Sequence, residues 1–206
     1  MLRPHRDVVL VTGAPGAGKT TLAVPLAAEL GFALLAKDRI KETLAETLGW
    51  APGGLTTAGP TTAGPTTAGH AGELVWSQRL GAASMELLWA LAADSPAVVL
   101  EANFWPDDDR HQRRFRELGG HAVEVYCACP LTVALERYAA RQASRHPVHA
   151  EAHRIVTPEA WARWARPVGI GELVTVDTSV PVDVSELATE VRARLGASCP
   201  AYGVSE

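Results

Sequence analysis

Eight consecutive residues near the start of the chain have the types and spacing of a phosphate-binding loop. The run Gly13-Ala14-Pro15-Gly16-Ala17-Gly18-Lys19-Thr20 fits the pattern G-x-x-x-x-G-K-[ST] at every position. In such a loop the backbone N–H groups surround phosphate oxygens, and the following helix adds the positive end of its dipole. Lys19 would follow the β- and γ-phosphates, and the Thr20 hydroxyl would ligate Mg²⁺. The motif therefore predicts a nucleoside triphosphate site, without distinguishing ATP from GTP.

A carboxylate, Asp38, follows the second predicted strand and is flanked by Lys37 and Lys41. A carboxylate at this position would accept the proton of an attacking hydroxyl, or hold a water on Mg²⁺. The alternative is that Asp38 caps the helix predicted over 39–48. Lys41, one turn further, would pair with Asp38 or meet an anionic substrate; the alternative for it is solvent exposure.

Another acidic side chain, Glu101, is expected at the end of the third predicted strand. There it would hold the water shell of the metal or contact substrate, unless it is only a solvated residue at the strand end. Asn103 and Trp105 follow in the next loop, and we assign both to substrate contact. Phe104 between them suits core packing equally well.

Three arginines, Arg137, Arg141 and Arg145, recur every fourth residue along a helix predicted from Leu131 to about Ser144 and at its end. On a helix they would share one face, and like charges in a row repel unless an anion faces them. A transferred phosphoryl group is such an anion. A solvated basic face is the alternative. We assign Arg145 to the substrate, and Arg137 together with Thr21 to the nucleotide.

Histidines dominate the stretch after these arginines, at His146, His149 and His153. Zinc binding is the less favoured interpretation, because no cysteine or acidic partner has matching spacing. Contact with the acceptor, or a place in a mobile lid over about residues 137–157, is preferred.

Hydrophobic patterning places these side chains on an alternating α/β framework. Five short apolar runs predict buried strands; they are Asp7–Thr12, Phe32–Ala36, Pro96–Leu100, Val123–Cys127 and Leu173–Asp177. Helices are predicted between and after them, including one from Gly18 to Leu30 that contains Pro25 and ends at Gly31. The pattern implies an α/β fold, a three-layer α/β/α arrangement around a five-stranded parallel sheet. The loops that carry the candidate residues would then meet at one edge of that sheet.

The 206 residues suit a single domain, 1–206. Residues 51–72 break the pattern, because the unit Thr-Thr-Ala-Gly-Pro recurs there three times with one final substitution. Such a composition buries little apolar surface, so we predict a flexible surface insertion.

Charge and composition narrow the class of protein. The net charge of −4 argues against a nucleic acid partner, because a surface that binds nucleic acid needs clustered cations to neutralise the phosphates. Only three of the 19 basic residues are lysines, and they fall at Lys19, Lys37 and Lys41. Cys127 and Cys129 suit reduced thiols. No apolar stretch is long enough for a membrane span or a signal peptide, so we expect a cytoplasmic protein; the sequence does not indicate an oligomeric state.

The phosphate loop together with the segment Lys37–Lys41 resembles the small P-loop kinases related to zeta toxins, chloramphenicol phosphotransferase and the kinase domain of polynucleotide kinase, an AAA-type group of ATP-binding kinases. The resemblance implies a P-loop NTPase fold with a helical lid and ATP and Mg²⁺ as cofactors. It also implies Asp38 as the base, Lys19 and Arg141 as the charge-stabilising catalytic residues, and the loop Asp177–Ser179 beside the nucleotide base.

The leading functional hypothesis is therefore a phosphotransferase that moves the γ-phosphoryl group of ATP to a hydroxyl of a small molecule. The alternatives are a polynucleotide 5′-hydroxyl kinase, a nucleotide-dependent toxin or regulator acting on a protein partner, and a nucleoside monophosphate kinase.

Overall fold

The computed structural model describes residues 6–48, 50–51, 54–55, 70–106, 108–149 and 161–197. Within these ranges the strands are β1 (Asp7–Thr12), β2 (Ala33–Ala36), β3 (Trp50–Ala51), β4 (Gly54–Leu55), β5 (Ala97–Glu101), β6 (His121–Ala128) and β7 (Glu172–Asp177). The α-helices are α1 (Lys19–Leu30), α2 (Lys37–Thr47), α3 (His70–Asp94), α4 (Asp109–Leu118), α5 (Leu131–Ala140) and α6 (Val184–Ala197).

Five of the strands form one parallel sheet in the order β2-β5-β1-β6-β7. Leu10 of β1 lies opposite Leu100 on one side and Glu124 on the other. The strand order reverses direction at β1, which opens a crevice beyond the carboxyl end of this central strand. The phosphate loop Gly13–Thr20 follows β1 directly and therefore starts in that crevice.

Apolar side chains form a separate core on each face of the sheet. Val9 and Val11 of β1 belong to a cluster with residues of α1 and α6. Val8 and Leu10 alternate with them and belong to the second cluster, which includes Leu88 of α3 and Phe104. All four β1 residues are fully buried, which explains the continuous apolar run. The predicted three-layer α/β/α fold with a five-stranded parallel sheet is confirmed.

Several details differ from the sequence-based expectations. Trp50–Ala51 pairs with Gly54–Leu55 in a short antiparallel ladder, and α3 already begins at His70, so both ends of the predicted insertion 51–72 carry regular structure. The repeat itself, in residues 56–69, lies outside the described residues. On α3, apolar character alone does not identify the buried face, because Leu87 and Leu91 are exposed while Leu88 and Trp89 are buried.

A buried carboxylate, Glu124, that the sequence analysis did not identify fixes the segment before β7 to the sheet. Glu124 interrupts the apolar run of β6 and is only 1% exposed. It accepts hydrogen bonds from the Thr12 hydroxyl at 2.6 Å and from the backbone N–H groups of Val168, Gly169 and Ile170 at 2.7, 2.7 and 3.2 Å. These four donors satisfy the carboxylate and hold the segment that leads into β7.

Replacing Glu124 with leucine is therefore expected to lower the free energy of unfolding by about 3 kcal/mol or more, because three buried N–H groups and one hydroxyl lose their acceptor. Urea unfolding measures this. Glu190→Gln, which removes one partner of the exposed ion pair with Arg194, is the matched control and should change the value by at most about 0.5 kcal/mol. An equal effect of both substitutions would contradict the role given to Glu124.

Candidate active site

The phosphate loop has the backbone conformation that its glycines permit. Gly13, Gly16 and Gly18 have φ angles of 134°, 85° and 86°. At Gly16 a Cβ atom would lie 2.1 Å from the backbone oxygen of Ala134, in the first turn of α5. Only glycine fits this position, because the loop packs directly on the backbone of a neighbouring helix.

We expect Gly16→Ala to reduce the free energy of unfolding by at least about 2 kcal/mol and to weaken ATP binding, since the loop must leave α5 to admit a methyl group. Gly31→Ala is the matched control: Gly31 also has a positive φ, 72°, but nothing lies within 4 Å of its would-be Cβ. It should cost only about 1 kcal/mol. Urea unfolding and ATP titration compare the two variants, and equal losses would contradict the contact with Ala134.

Lys19 lies inside the loop, with its side chain 7% exposed. Its Nζ donates hydrogen bonds to the backbone oxygens of Gly13 and Ala14, both at 3.0 Å. Burial lowers the pKa of Lys19, and the negative charge of Glu101 opposes that shift. The ammonium group is thus held at the mouth of the loop, where a phosphate would meet it.

Thr20 and Glu101 lie together where the loop meets the end of β5. Thr20 and Glu101 line the same cleft, and the Glu101 carboxylate is only 6% exposed. Burial raises the pKa of Glu101, against the opposing effect of Lys19. A hydroxyl and a carboxylate are hard oxygen donors, and this pair fits Mg²⁺ bound mainly through nucleotide phosphates and water.

No three His, Cys, Asp or Glu side chains within the described ranges converge as a metal-binding group. His153, one of the three histidines considered for zinc, lies outside those ranges.

Asp38 is in the first turn of α2, whose N-cap is Ala36, so the interpretation of Asp38 as the N-cap is wrong. Its Oδ2 accepts a hydrogen bond from Arg145 at 3.0 Å. Burial by itself would raise the pKa of Asp38, but the charges of His149, Lys37, Arg145 and Lys19 outweigh it and lower the pKa. Asp38 is therefore an ionised acceptor that faces the cleft and remains 42% exposed.

Lys41 is only 3% exposed, so the alternative of a solvated lysine is wrong. Its Nζ donates to the Ser77 hydroxyl of α3 at 2.8 Å, and that hydroxyl donates to the backbone oxygen of Val148 at 2.7 Å. At the next residue of each segment, Nε2 of His149 lies 2.8 Å from a Glu42 oxygen. These contacts tie α2, α3 and the segment after α5 into one wall.

The three arginines do not form the predicted row, because α5 ends at Ala140 and a 3₁₀ turn over Gln142–Ser144 redirects the chain. Arg137 donates to the backbone oxygens of Thr178 at 2.8 Å and Ser179 at 3.3 Å. Arg145 turns the other way, to Asp38. Arg141 stands between them and lines two cavities.

The first of these cavities, about 320 Å³, is the cleft between the phosphate loop and α2. It brings together all of the predicted catalytic, substrate and metal-binding residues: Lys19, Thr20, Asp38, Lys41, Glu101, Asn103, Trp105, Arg141 and Arg145. Lys37, Tyr138 and Trp164 also line it, although the prediction assigned them no site role. His149, from the stretch expected to contact the acceptor or belong to a lid, lines it as well. Trp105 packs against Trp164 with ring centroids 4.5 Å apart and ring planes tilted by 44°, whereas Phe104 is buried.

The second cavity, about 620 Å³, lies on the other side of the phosphate loop. It is lined by Thr21, Arg137 and Arg141 together with residues of the segment from Thr178 to Val184. The place of the loop Asp177–Ser179 beside a nucleotide base stays a prediction. The Thr178 hydroxyl donates to the backbone oxygen of Ala17 at 2.6 Å and so connects this segment to the phosphate loop.

Solved structures with a similar fold include several kinases. A candidate kinase from Chloroflexus aurantiacus is 29% identical, with a TM-score of 0.70 over 94% of this chain and 100% of that one. A sugar kinase from Janibacter matches at 17% identity and a TM-score of 0.51, over 96% and 99% of the two chains. The APS kinase of Mycobacterium tuberculosis, in complex with AMPPNP and APS, matches at 21% identity and a TM-score of 0.51, over 94% and 99%.

No curated protein sequence matches the chain. In the part of the chain that the structure describes, no helix has the length and apolar character needed to cross a membrane.

The chain thus combines a phosphate loop at the centre of a parallel sheet with the fold of P-loop kinases, which supports a phosphotransferase. A family model described as an AAA domain matches residues 8–166, more than half of the chain. The chain belongs to this AAA domain family.

Proposed function

We propose that the chain is an ATP-dependent kinase that transfers the γ-phosphoryl group of ATP to a hydroxyl group of a small molecule. One observation carries the proposal: Lys19 and Thr20 of the phosphate loop and Asp38 of α2 line the same cleft. A donor phosphate and an acceptor hydroxyl would therefore meet within one enclosed volume, as in-line transfer requires.

In this mechanism Asp38 accepts the proton of the acceptor hydroxyl as its oxygen bonds to the γ-phosphorus. The bond between that phosphorus and the oxygen bridging to the β-phosphate breaks, and ADP leaves. Lys19 and Arg141 stabilise the negative charge spread over the transferred group. Mg²⁺, held by Thr20 and through water by Glu101, would supply further charge neutralisation. His149, Lys37, Arg145 and Lys19 together hold the pKa of Asp38 low, and Arg145 also donates a hydrogen bond to its carboxylate.

The size of the cleft favours a small acceptor. Its volume of about 320 Å³ is at the lower end of ligand pockets, and Trp105, Tyr138 and Trp164 contribute to its wall. Such a cleft suits one sugar-sized or similar group better than a polynucleotide backbone. The AMPPNP complex of the fold neighbour APS kinase supports a nucleotide in the phosphate loop.

The test is release of ADP from ATP and Mg²⁺ in the presence of separate panels of hydroxylated metabolites and antibiotics, 5′-hydroxyl oligonucleotides, and water alone. We expect at least one small molecule to raise ADP release above the rate with water, and the oligonucleotides not to do so. Stimulation by the oligonucleotides alone would overturn the proposal in favour of the polynucleotide kinase. Thr20→Ala should abolish the stimulated rate, which controls for contaminating kinases.

A further inference from the structure

Helix α2 carries three carboxylates at four-residue intervals, at Asp38, Glu42 and Glu46. This spacing places all three on one face of the helix, where like charges repel one another unless other groups face them. The transfer step uses Asp38 only, so Glu42 and Glu46 have no part in it. The groups that face them come from the segment Arg145–His149, which we call the strap.

The strap is bonded to α2 at both of its ends. Nη2 of Arg145 donates a hydrogen bond to Oδ2 of Asp38 at 3.0 Å. At the other end, Nε2 of His149 lies 2.8 Å from Oε1 of Glu42. Between these two contacts, Val148 is fully buried in an apolar cluster with residues of α2 and α3. The strap thus has a buried anchor flanked by two polar contacts to the same helix face.

The contact of His149 with Glu42 differs from the neighbouring contact of His146 with Glu46. His149 is only 7% exposed, so its ring N–H needs a partner within the protein. An ionised carboxylate only accepts hydrogen bonds, so Nε2 of His149 donates to Glu42. By contrast, Nε2 of His146 is 3.9 Å from Glu46, beyond hydrogen-bond distance, and Glu46 is 69% exposed. Glu42 therefore holds the strap, and Glu46 contributes little.

The two oxygens of the Asp38 carboxylate have different surroundings. Oδ2 is bound by Arg145, whose guanidinium carbon also lies 5.8 Å from the centre of the Tyr138 ring. Within the described ranges Oδ1 accepts no hydrogen bond, and the Asp38 side chain lines the cleft. A guanidinium remains protonated, so Arg145 does not compete for the proton of an acceptor hydroxyl. Arg145 can therefore orient the carboxylate through one oxygen while the other oxygen stays available.

We propose that Arg145 is a positioning residue for the base: it holds Oδ2 of Asp38 so that Oδ1 takes the proton of the acceptor hydroxyl. Glu42 and His149 are positioning residues one step further away, because their hydrogen bond keeps the strap, and with it Arg145, in place on α2. The proposal rests on the proposed function, since it concerns how the same base is oriented for transfer. It gives Arg145 a role other than the substrate contact that the sequence analysis assigned to it.

The first test needs no acceptor and follows the Arg145 guanidinium by ¹H–¹⁵N NMR of the full chain; signals missing from Arg145→Met assign it. A guanidinium held by a carboxylate rotates slowly and gives resolved Nη signals. We expect these signals in the wild type and in Glu46→Ala, and their loss in Glu42→Ala. Glu42→Gln should restore them, because the amide oxygen still accepts from His149. Both alanine variants suit a helix, so α2 stays folded.

Resolved Arg145 signals in Glu42→Ala, or their absence from the wild type, would overturn the proposal. Equal loss in Glu42→Ala and Glu46→Ala would also overturn it, because the effect would then follow the net charge of α2 and not one hydrogen bond.

The second test measures kinetics with the small molecule that most stimulates ADP release in the panel. Arg145→Met should lower kcat at least about tenfold and leave the KM of that acceptor within about twofold of the wild-type value, whereas loss of a substrate contact would raise KM. Glu42→Ala should lower kcat by about threefold or more, with Glu42→Gln close to the wild type. Adding Arg145→Met to Asp38→Asn should not slow transfer further, because Arg145 acts only through the carboxylate.

A raised KM with unchanged kcat in Arg145→Met, or a further loss in the double variant, would overturn the positioning role and leave the kinase standing. Phosphorylation of no compound would instead count against the proposed function. The NMR comparison would still decide whether Glu42 and His149 hold Arg145 on Asp38.

Discussion

Arg141→Met should lower the rate of phosphoryl transfer by about 10³- to 10⁵-fold, the range found when an arginine that neutralises the transferred group is removed. Arg141 lines both the cleft and the cavity on the other side of the phosphate loop. Its positive charge also lowers the pKa of Lys19 and of Glu101, which places the guanidinium within electrostatic reach of both. Among the described residues, Arg141 at the end of α5 is the one arginine that lines both cavities.

Single-turnover kinetics at saturating ATP and acceptor measure this effect. Affinity for ATP should fall much less than the rate, because a group that acts mainly in the transition state contributes little to ground-state binding. Arg39→Met, on the exposed face of α2, is the control and should keep the wild-type rate. A rate loss for Arg141→Met no larger than that of the control would remove Arg141 from the mechanism.

Asp38→Asn should reduce phosphoryl transfer by about 10²- to 10⁴-fold while ATP binding stays close to that of the wild type. The amide keeps the shape of the carboxylate but cannot take the hydroxyl proton. Arg145, which donates to Oδ2 of Asp38 at 3.0 Å, loses its negative partner, but the phosphate loop is untouched. Rapid-quench measurement of acceptor phosphorylation and separate titration with AMPPNP distinguish the two effects.

Glu46→Gln supplies the matched control, because it removes an exposed carboxylate from the same helix two turns away. It should leave both the rate and the affinity for ATP unchanged. Full turnover by Asp38→Asn would exclude Asp38 as the base.

The pH dependence follows from the direction of the Asp38 shift. Its pKa lies below the ordinary value of 3.8, because nearby cations outweigh the effect of burial. The carboxylate therefore stays ionised as the pH falls from 7 to about 5, and its contribution to stability is lost only as the pH falls through the lowered value. The rate should not decline over this interval through protonation of Asp38. An acid limb centred above about pH 5 that disappears in Asp38→Asn would contradict this.

The sequence predicts the sheet and the phosphate loop well because both depend on local patterns. Val8–Val11 is fully apolar and fully buried, and the glycines of the loop take the positive φ angles that the motif requires. The positions of Asp38 and Glu101 also follow from the sequence, since both residues lie where parallel strands end at the same edge.

The other features of the site depend on contacts between segments that are distant in the sequence, and hydrophobic periodicity does not reveal such contacts. The arginine row failed because α5 ends at Ala140, and nothing in the repeat of arginines signals that end. Nothing in the sequence marks Glu124 as a buried acceptor, because its partners come from residues 12 and 168–170. Lys41 is buried only because α3, far along the sequence, supplies Ser77. One feature of the sequence did point to the cleft: all three lysines fall within one short segment, residues 19–41, and all three line the cleft.

The most direct measurement of the central claim follows the label of [γ-³²P]ATP after incubation with Mg²⁺, the panel of hydroxylated small molecules and either wild-type protein or Asp38→Asn. We expect the label on the hydroxyl oxygen of a small molecule with the wild type and almost none there with Asp38→Asn. Label that appears only in inorganic phosphate, in oligonucleotides or in a protein partner, or equal labelling by both proteins, would contradict the account.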